Sequence, residues 1–477
     1  MNIRTIAEYD LGRPLGQVRS IPIQLGTEES VLFVFSAEKN VDPGEEYFHY
    51  PQDSLKIALF TRRGERLWEK DLGPDNIPGV WFVPVIAFDL DKDGNDEIYY
   101  VNNINRGHPF SIVGRQLQKL DARTGEPCGA WPWPRYTEEE KLSLCYRFYL
   151  ACGYVQGEPV LITAQGCYTN MYLQAWNSGM TPRWTRNILD AEPGCRASHV
   201  CPVLDINKDG TDEILWGERA VSLHDGTDLF CCDRESFHGH SDIVIPFIDH
   251  SNDNLYIYTC REDDDGHGIP RVVVYDSQGN RVWTDMTRGH MHFGWLAHTA
   301  DGITAMAARV DVSEVDGHMH SAEPIRKFYN AFTGEEAAPP VRAVPASYPI
   351  KTAEQGTACA GDAHTKLRLL DIYPIDFDGD SIDEFFDKDG IILNSAGEIL
   401  ARAEGEPIRM GKVFADVPGD QLMLFTPGRQ TVQVWGCPET IESEAYKKRH
   451  STGFHTFNQK LMATGYNNIN SVLNSAM

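Results

Sequence analysis

Three copies of one nine-residue pattern, Asp-x-Asp/Asn-x-Asp-Gly/Ser-x-Asp-Glu, recur along this chain. They occupy residues 89–97 (DLDKDGNDE), 205–213 (DINKDGTDE) and 376–384 (DFDGDSIDE). Oxygen side chains at positions one, three and five of a tight loop converge on a point, position nine adds a carboxylate, and a small residue at six lets the backbone turn. A hard cation such as Ca²⁺, with about six to eight oxygen ligands, takes this arrangement. The expected ligands are Asp89, Asp91, Asp93 and Glu97; Asp205, Asn207, Asp209 and Glu213; and Asp376, Asp378, Asp380 and Glu384. The copies begin 116 and 171 residues apart, close to two and three units of roughly 57 residues. A period of that size points to a propeller.

A second signal repeats at a similar interval: a strand, a turn of the form Asp/Asn-x-x-Gly, then a strand that often carries Trp. Its turns centre on Gly64, Gly125, Gly179, Gly226, Gly279, Gly334 and Gly397, with a last unit around residues 422–437. Turn residues between alternating apolar runs are hairpin signals. One four-stranded antiparallel blade per unit follows. The fold expected is all-β, an eight-bladed β-propeller with calcium-binding Asp-rich loops; seven blades is the alternative. Residues 1–440 form the propeller, and residues 441–477, outside the blade pattern, pack back on it. The carboxylate loops join neighbouring strands of a blade. Residues 138–152 are the one stretch long enough to consider as a helix, and even that could continue as a strand.

Composition narrows the partners. With 69 acidic against 43 basic residues, the net charge of −26 argues against nucleic acid and anionic membrane, which need a basic footprint. It still permits an acidic substrate, because a local cluster of Arg, His and bound cation reverses the sign within a pocket. No apolar run reaches the ~20 residues of a membrane span, and the start lacks a signal-peptide apolar core. The expected location is cytoplasmic, or extracellular for a mature form whose leader was removed; a monomer is expected. Eleven cysteines, an odd number, read as buried small hydrophobes rather than a disulfide framework.

Eleven of the 16 histidines lie between His199 and His320. They include three pairs at i and i+2: His238 with His240, His290 with His292, and His318 with His320. In a strand such pairs face one side. They occupy similar positions in successive units and could line one mouth of a propeller. A bland reading, hydrogen-bonded loop histidines, suits any single one better than it suits the constellation. Zinc held by paired histidines is a third reading.

A family becomes visible between Ser198 and Asp242. The run SHVCPVLDINKDGTDEILWGERAVSLHDGTDLF, followed by Gly239-His240-Ser241-Asp242, resembles the rhamnogalacturonan lyases of polysaccharide lyase family eleven. His199 matches the His before that family's calcium loop, and residues 239–242 match its Gly-His-Gly-Asp with Ser for the second Gly. Tyr466-Asn467 matches its closing motif. The resemblance is good over roughly 100 residues and weak near the N-terminus.

The resemblance implies a calcium-containing eight-bladed propeller that cleaves a uronate-containing backbone by β-elimination. That reaction needs a base for the C5 proton, neutralisation of the uronate carboxylate, and a proton for the leaving O4. The expected catalytic residues are His199, His240, Arg288, His290 and His292. Those expected to bind substrate are His238, Asp242, His318, His320, Tyr466 and Asn467. The expected activity is a polysaccharide or oligosaccharide lyase on a rhamnose-containing acidic glycan. The alternatives are a non-catalytic glycan-binding propeller, or a lyase of another rhamnose–glucuronate glycan. A glycoside hydrolase would need two carboxylates at defined separation across a sugar, which no spacing here identifies.

Overall fold

The structure is a computed structural model and describes residues 1–43, 50–111, 113–134, 142–262, 269–286, 290–310, 312–315, 318–321, 325–341, 372–387, 390–466, 471–475 and 477. Side chains at 142, 143, 290, 309–325, 462 and 475 are likewise outside the description. Strand-forming runs separated by Gly and Asp/Asn turns fold into antiparallel sheets that take their strands in chain order. These are the eight blades of an all-β propeller. Their innermost strands are Gln17–Leu25, Val85–Phe88, Phe148–Val155, Val203–Leu204, Ser241–Asp249, His290–Thr299, Ile372–Ile375 and Glu406–Gly411. Each of these is largely buried, as expected of a strand packed on both faces.

The ring closes by exchange of strands between the two ends of the sequence. The last blade has the order Glu406–Gly411, Gln421–Phe425, Thr431–Gly436, and its outermost strand is the N-terminal Arg4–Asp10. This closure pairs residues more than 400 positions apart, such as Arg4 with Gly436. The sixth blade carries an extra hairpin, Val312–Val315 with His318–Ser321, between its second and third strands.

The seven glycine turns read from the sequence fall at the outer edge of blades one to seven. Gly125, Gly226 and Gly334 have positive φ of 71°, 78° and 73°. Each lies under the indole of the preceding blade's outer strand: an added Cβ would come within 2.6 Å of Trp68, 2.7 Å of Trp184 and 2.6 Å of Trp283. The same indoles donate N–H bonds to Ala122, Leu223 and Ala331 carbonyls at 2.9, 2.9 and 2.8 Å. Gly and Trp thus form an inter-blade clasp, which requires both the αL backbone and the missing side chain.

The carboxylate loops carry a second clasp at their eighth position. Asp96, Asp212 and Asp383 each exchange two hydrogen bonds with one backbone residue of the preceding blade. The partners are Gln24, Tyr154 and His298, whose N–H groups lie 2.8, 2.7 and 2.7 Å from the Asp carboxylates. The return bonds, from the Asp N–H to the partner carbonyl, are 2.9, 2.8 and 2.8 Å.

The stretch from Ser443 to Tyr466 lies along the innermost strands. It starts at the third carboxylate loop, where Arg449 meets Asp376 at 3.1 Å and the Ser443 N–H bonds Gly379 O at 2.7 Å. The helix Gly453–Lys460 then packs among the innermost strands of blades one, two and four. Asn458 donates to Val203 O at 3.3 Å, and Arg19 grips Ala463 O at 3.0 Å. The segment emerges with Tyr466 at the opposite face. Residues 138–152 resolve into a short helix, Leu142–Cys145, running into the strand Phe148–Val155, with 135–141 outside the description. None of the described cysteines forms a disulfide, and most are buried. No helix among the described residues is long and apolar enough to cross a membrane.

Candidate functional site

Every innermost strand runs from the face where Tyr466 emerges toward the face of the carboxylate loops. The histidines stand at the starts of these strands, so the two sequence signals lie at opposite ends of the channel. His199 precedes the inner strand of blade four, His240 and Asp242 begin that of blade five, and His292 lies near the start of that of blade six. Two of these positions are bulges. Asp242 is the unpaired residue where the register jumps between Ser241 and Ile243, and His292 is its counterpart between Met291 and Phe293. A bulge re-aims a side chain that the regular alternation would send elsewhere.

The result is a buried cluster. Nε2 of His199 and Nε2 of His240 lie 3.2 and 3.3 Å from the same Oδ1 of Asp242. Glu262, at the end of the next strand of blade five, brings Oε2 to 3.8 Å from His240 and Oε1 to 3.5 Å from His292 Nδ1. His292 Nδ1 is 3.1 Å from Asp242 Oδ2. Asp242 Oδ1 is fully buried, with two imidazole nitrogens adjoining it. His199, His240, Asp242 and Glu262 offer two N and two O donors within 4.8 Å of each other, a set suited to a divalent cation. Cys167, 3.3 Å from His240 Nδ1, borders it.

The electrostatics fit. Burial disfavours charge on His240, yet Cys167, Asp242 and Glu262 outweigh it and hold its pKa well above the usual value. Burial pushes Asp242 upward, but His199, His240 and His292 bring its carboxyl well below the usual range. Carboxylates that favour a proton on these imidazoles would equally favour a cation in its place.

Aromatic and charged groups surround His199. Its ring lies 5.5 Å from Trp81, 5.2 Å from Tyr466 and 4.6 Å from His240. The Tyr168 hydroxyl is 3.5 Å from His199 Nε2. Arg147, buried, lies over Trp81 at 5.0 Å and over Tyr168 at 5.4 Å. It reaches Asp42 at 3.3 Å and the Tyr466 hydroxyl at 3.5 Å, and Tyr466 donates to Asp42.

Of the residues singled out in the sequence, His199, His240, Asp242 and His292 come together, with Tyr466 beside them. His238 does not join: it is exposed, and its Nδ1 accepts the Gly194 N–H at 3.1 Å. Arg288 and Asn467 lie outside the described residues, as do the side chains of His290, His318 and His320. Glu262, Arg147, Asp42, Trp81 and Tyr168 were not singled out. They are spread over four blades and share no local pattern.

The carboxylate loops differ as cation sites. Asp89, Asp91 and Glu97 face one another, and so do Asp376, Asp378 and Glu384. In the first set Lys119 already pairs with Glu97 and lies 3.7 Å from Asp91. In the second loop Asp205 accepts the N–H groups of Asp209 and Gly210 at 3.0 and 2.8 Å. Burial, added to by nearby Asp205 and Asp209, pushes Glu213 up to about 8. In the third, burial and the neighbouring carboxylates push Glu384 up to about 9. Each donor set carries more negative charge than its basic neighbours, Lys119 in the first and Arg449 in the third, offset, and a bound cation would relieve it.

A family profile described as "Rhamnogalacturonan lyase family 11, C-terminal domain" matches residues 143–336. That stretch holds His199, His240, Asp242, Glu262 and His292. Among characterised proteins, the chain is similar to "Rhamnogalacturonan exolyase YesX" of Bacillus subtilis (strain 168), 29% identical over 245 residues, covering 43% of this chain and 38% of that protein. It is also similar to "Rhamnogalacturonan endolyase YesW" of the same organism, 23% identical over 251 residues, 45% of this chain and 39% of that protein. The matches thus span under two fifths of the length of either relative. Among solved structures, the exotype rhamnogalacturonan lyase YesX superposes with a TM-score of 0.71 at 18% identity, over 98% of this chain and 81% of that one. A Bacillus licheniformis rhamnogalacturonan lyase gives 0.72 at 16%, over 97% and 81%. At these identities the superpositions bear on the fold alone.

Proposed function

We propose that this chain, a member of rhamnogalacturonan lyase family 11 or of a closely related group of propeller lyases, cleaves an acidic glycan by β-elimination next to a uronic acid. The observation that carries this reading is the convergence of His199, His240, Asp242 and Glu262 on one buried centre beside a part-exposed imidazole. The hydrogen on C5 of a uronate is a very weak acid, and its removal requires that the adjacent carboxylate be neutralised. A divalent cation bound by these four residues would supply that neutralisation.

This reading moves His199 and His240 from base to ligand. Their side chains are 1% and 0% exposed and converge on Asp242, so neither reaches a sugar ring. His292 is the more open imidazole, at 14% side-chain exposure. Asp242 orients it, as a carboxylate orients a general base, and it is the proposed acceptor of the C5 proton. Tyr466 stands on the other side of His199 and is proposed to contact the sugar.

In the same reading the carboxylate loops bind Ca²⁺ in a supporting role, at the far end of the channel. The substrate class proposed is rhamnogalacturonan or another rhamnose-containing uronate glycan. The test is incubation with rhamnogalacturonan, pectic oligomers and glucuronate–rhamnose glycans. Appearance of an ultraviolet-absorbing unsaturated uronate on one of them supports the proposal. Binding without cleavage across the panel would instead favour a non-catalytic glycan-binding propeller.

A further inference from the structure

Two residues that are themselves turned away from the buried cluster flank three of its four donors. Ser241 separates His240 from Asp242, and Arg261 precedes Glu262. Ser241 and Arg261 are direct cross-strand partners, and the Glu262 N–H bonds the His240 carbonyl at 3.0 Å. The side chains of His240, Asp242 and Glu262 meet in the cluster, whereas those of Ser241 and Arg261 reach away from it. Both of the latter end on a single carboxylate from the neighbouring blade, Glu218.

Glu218 sits in the turn between Glu213–Leu215 and Arg219–Ser222 of blade four, the blade that supplies His199. The Ser241 hydroxyl donates to its Oε1 at 2.8 Å. Arg261 donates through Nε to Oε1 at 2.9 Å and through Nη2 to Oε2 at 2.6 Å. The Tyr275 hydroxyl completes the set at 2.8 Å from Oε2. Both Glu218 and Arg261 side chains are 0% exposed. The guanidinium also lies 3.8 Å over Phe237 and donates to Asp233 at 2.7 Å. The turn that carries Glu218 has no slack: Gly217 has φ +67°, and a Cβ there would stand 1.9 Å from Arg196 O.

A buried carboxylate with this many directed partners fixes geometry, since each bond constrains a side chain that has nowhere else to go. We infer that Glu218 is a positioning residue for the cation site, holding the His240–Asp242 and Glu262 strand ends of blade five in register with His199 of blade four. The inference rests on the cation-binding reading proposed above. It assigns to an outer group the role that outer hydrogen bonds play around bound metals, where their loss costs about 10–100-fold in affinity.

The experiment titrates Mn²⁺ and Ca²⁺ into the full chain by calorimetry, with Asp242→Asn as the reference that removes the cluster but keeps the loops. Glu218→Gln preserves shape and removes the charge; Ser241→Ala cuts one arm and leaves the Arg261 pair intact. The expected result is weakening of the Asp242-dependent site, about 10–100-fold for Glu218→Gln and less for Ser241→Ala, with cation-free melting of Ser241→Ala close to wild type. Unchanged affinity in Ser241→Ala together with unchanged affinity in any folded Glu218→Gln overturns the inference. Should Glu218→Gln not fold, Ser241→Ala decides alone. If wild type and Asp242→Asn bind identically, it is the cation site itself that fails, and the two failures are distinct.

Discussion

Nδ1 of His292 lies 3.1 Å from Oδ2 of Asp242, and each residue is the extra member of a β-bulge at the start of adjacent inner strands. Regular strands would not turn these side chains toward each other. The pairing separates a proton-transfer role from a ligand role. His292→Ala is expected to reduce turnover by about two orders of magnitude or more, the scale of general base catalysis, while the Asp242-dependent cation affinity stays within a few-fold. His199→Ala is expected to lose the cation. Parallel calorimetry and turnover measurements check this, and an inverted pattern would exchange the two roles.

Asp42, Arg147 and Tyr466 make unequal contributions. Arg147 is buried, with Asp42 beside it at 3.3 Å. Removing the carboxylate leaves a buried guanidinium without its counter-charge, at about 3–5 kcal/mol. Removing the Tyr466 hydroxyl deletes a hydrogen bond to a charged group, at about 1.5–3 kcal/mol. Chemical denaturation should therefore show Asp42→Asn less stable than Tyr466→Phe.

The channel segment is tied down by Asp420. It accepts the Tyr446 hydroxyl at 2.7 Å and lies 3.2 Å from His450 Nε2. Burial raises its pKa, but His450, Arg449 and Tyr446 more than reverse this, leaving it well below the usual range. A depressed folded pKa means stability present above the unfolded value of about 3.9 and lost as pH falls below it toward the folded value. Asp420→Asn should be destabilised at neutral pH and lose less stability than wild type on acidification below about pH 4. Denaturation midpoints across that range give the comparison.

Cations in the second and third loops are expected to add stability by mass action, about 2.7 kcal/mol per site at a hundredfold excess over the dissociation constant. Chelator should lower the melting temperature and Ca²⁺ restore it. Glu213→Gln and Glu384→Gln should each remove part of that response. Asp212→Asn acts separately, loosening blade four from Tyr154 of blade three whether or not cation is present.

The blades were legible because each carries its own local punctuation. Gly125, Gly226 and Gly334 mark turns by backbone need, and the indoles that cover them recur one blade earlier. The site was legible where it touches a marker or a repeated spacing: His199, His240 and Asp242 lie to either side of the second carboxylate loop in the sequence, and His292 belongs to an i, i+2 pair. Glu262 has no neighbour that advertises it. Arg147, Trp81 and Asp42 belong to three blades that only ring closure brings together. His238 shares the i, i+2 spacing with His240, but both lie outside the strand, where the spacing fixes no common face, and His238 is exposed. The eighth Asp of each loop was not among the expected ligands, and its place is an inter-blade clasp.

The most direct test of the central claim is cleavage of a rhamnose-containing uronate glycan in oxygen-18-labelled water, followed by mass spectrometry of the products. Elimination predicts an unsaturated uronate at the new non-reducing end, no label incorporated during cleavage, and loss of the product in Asp242→Asn. Saturated products bearing the heavy oxygen would contradict the account.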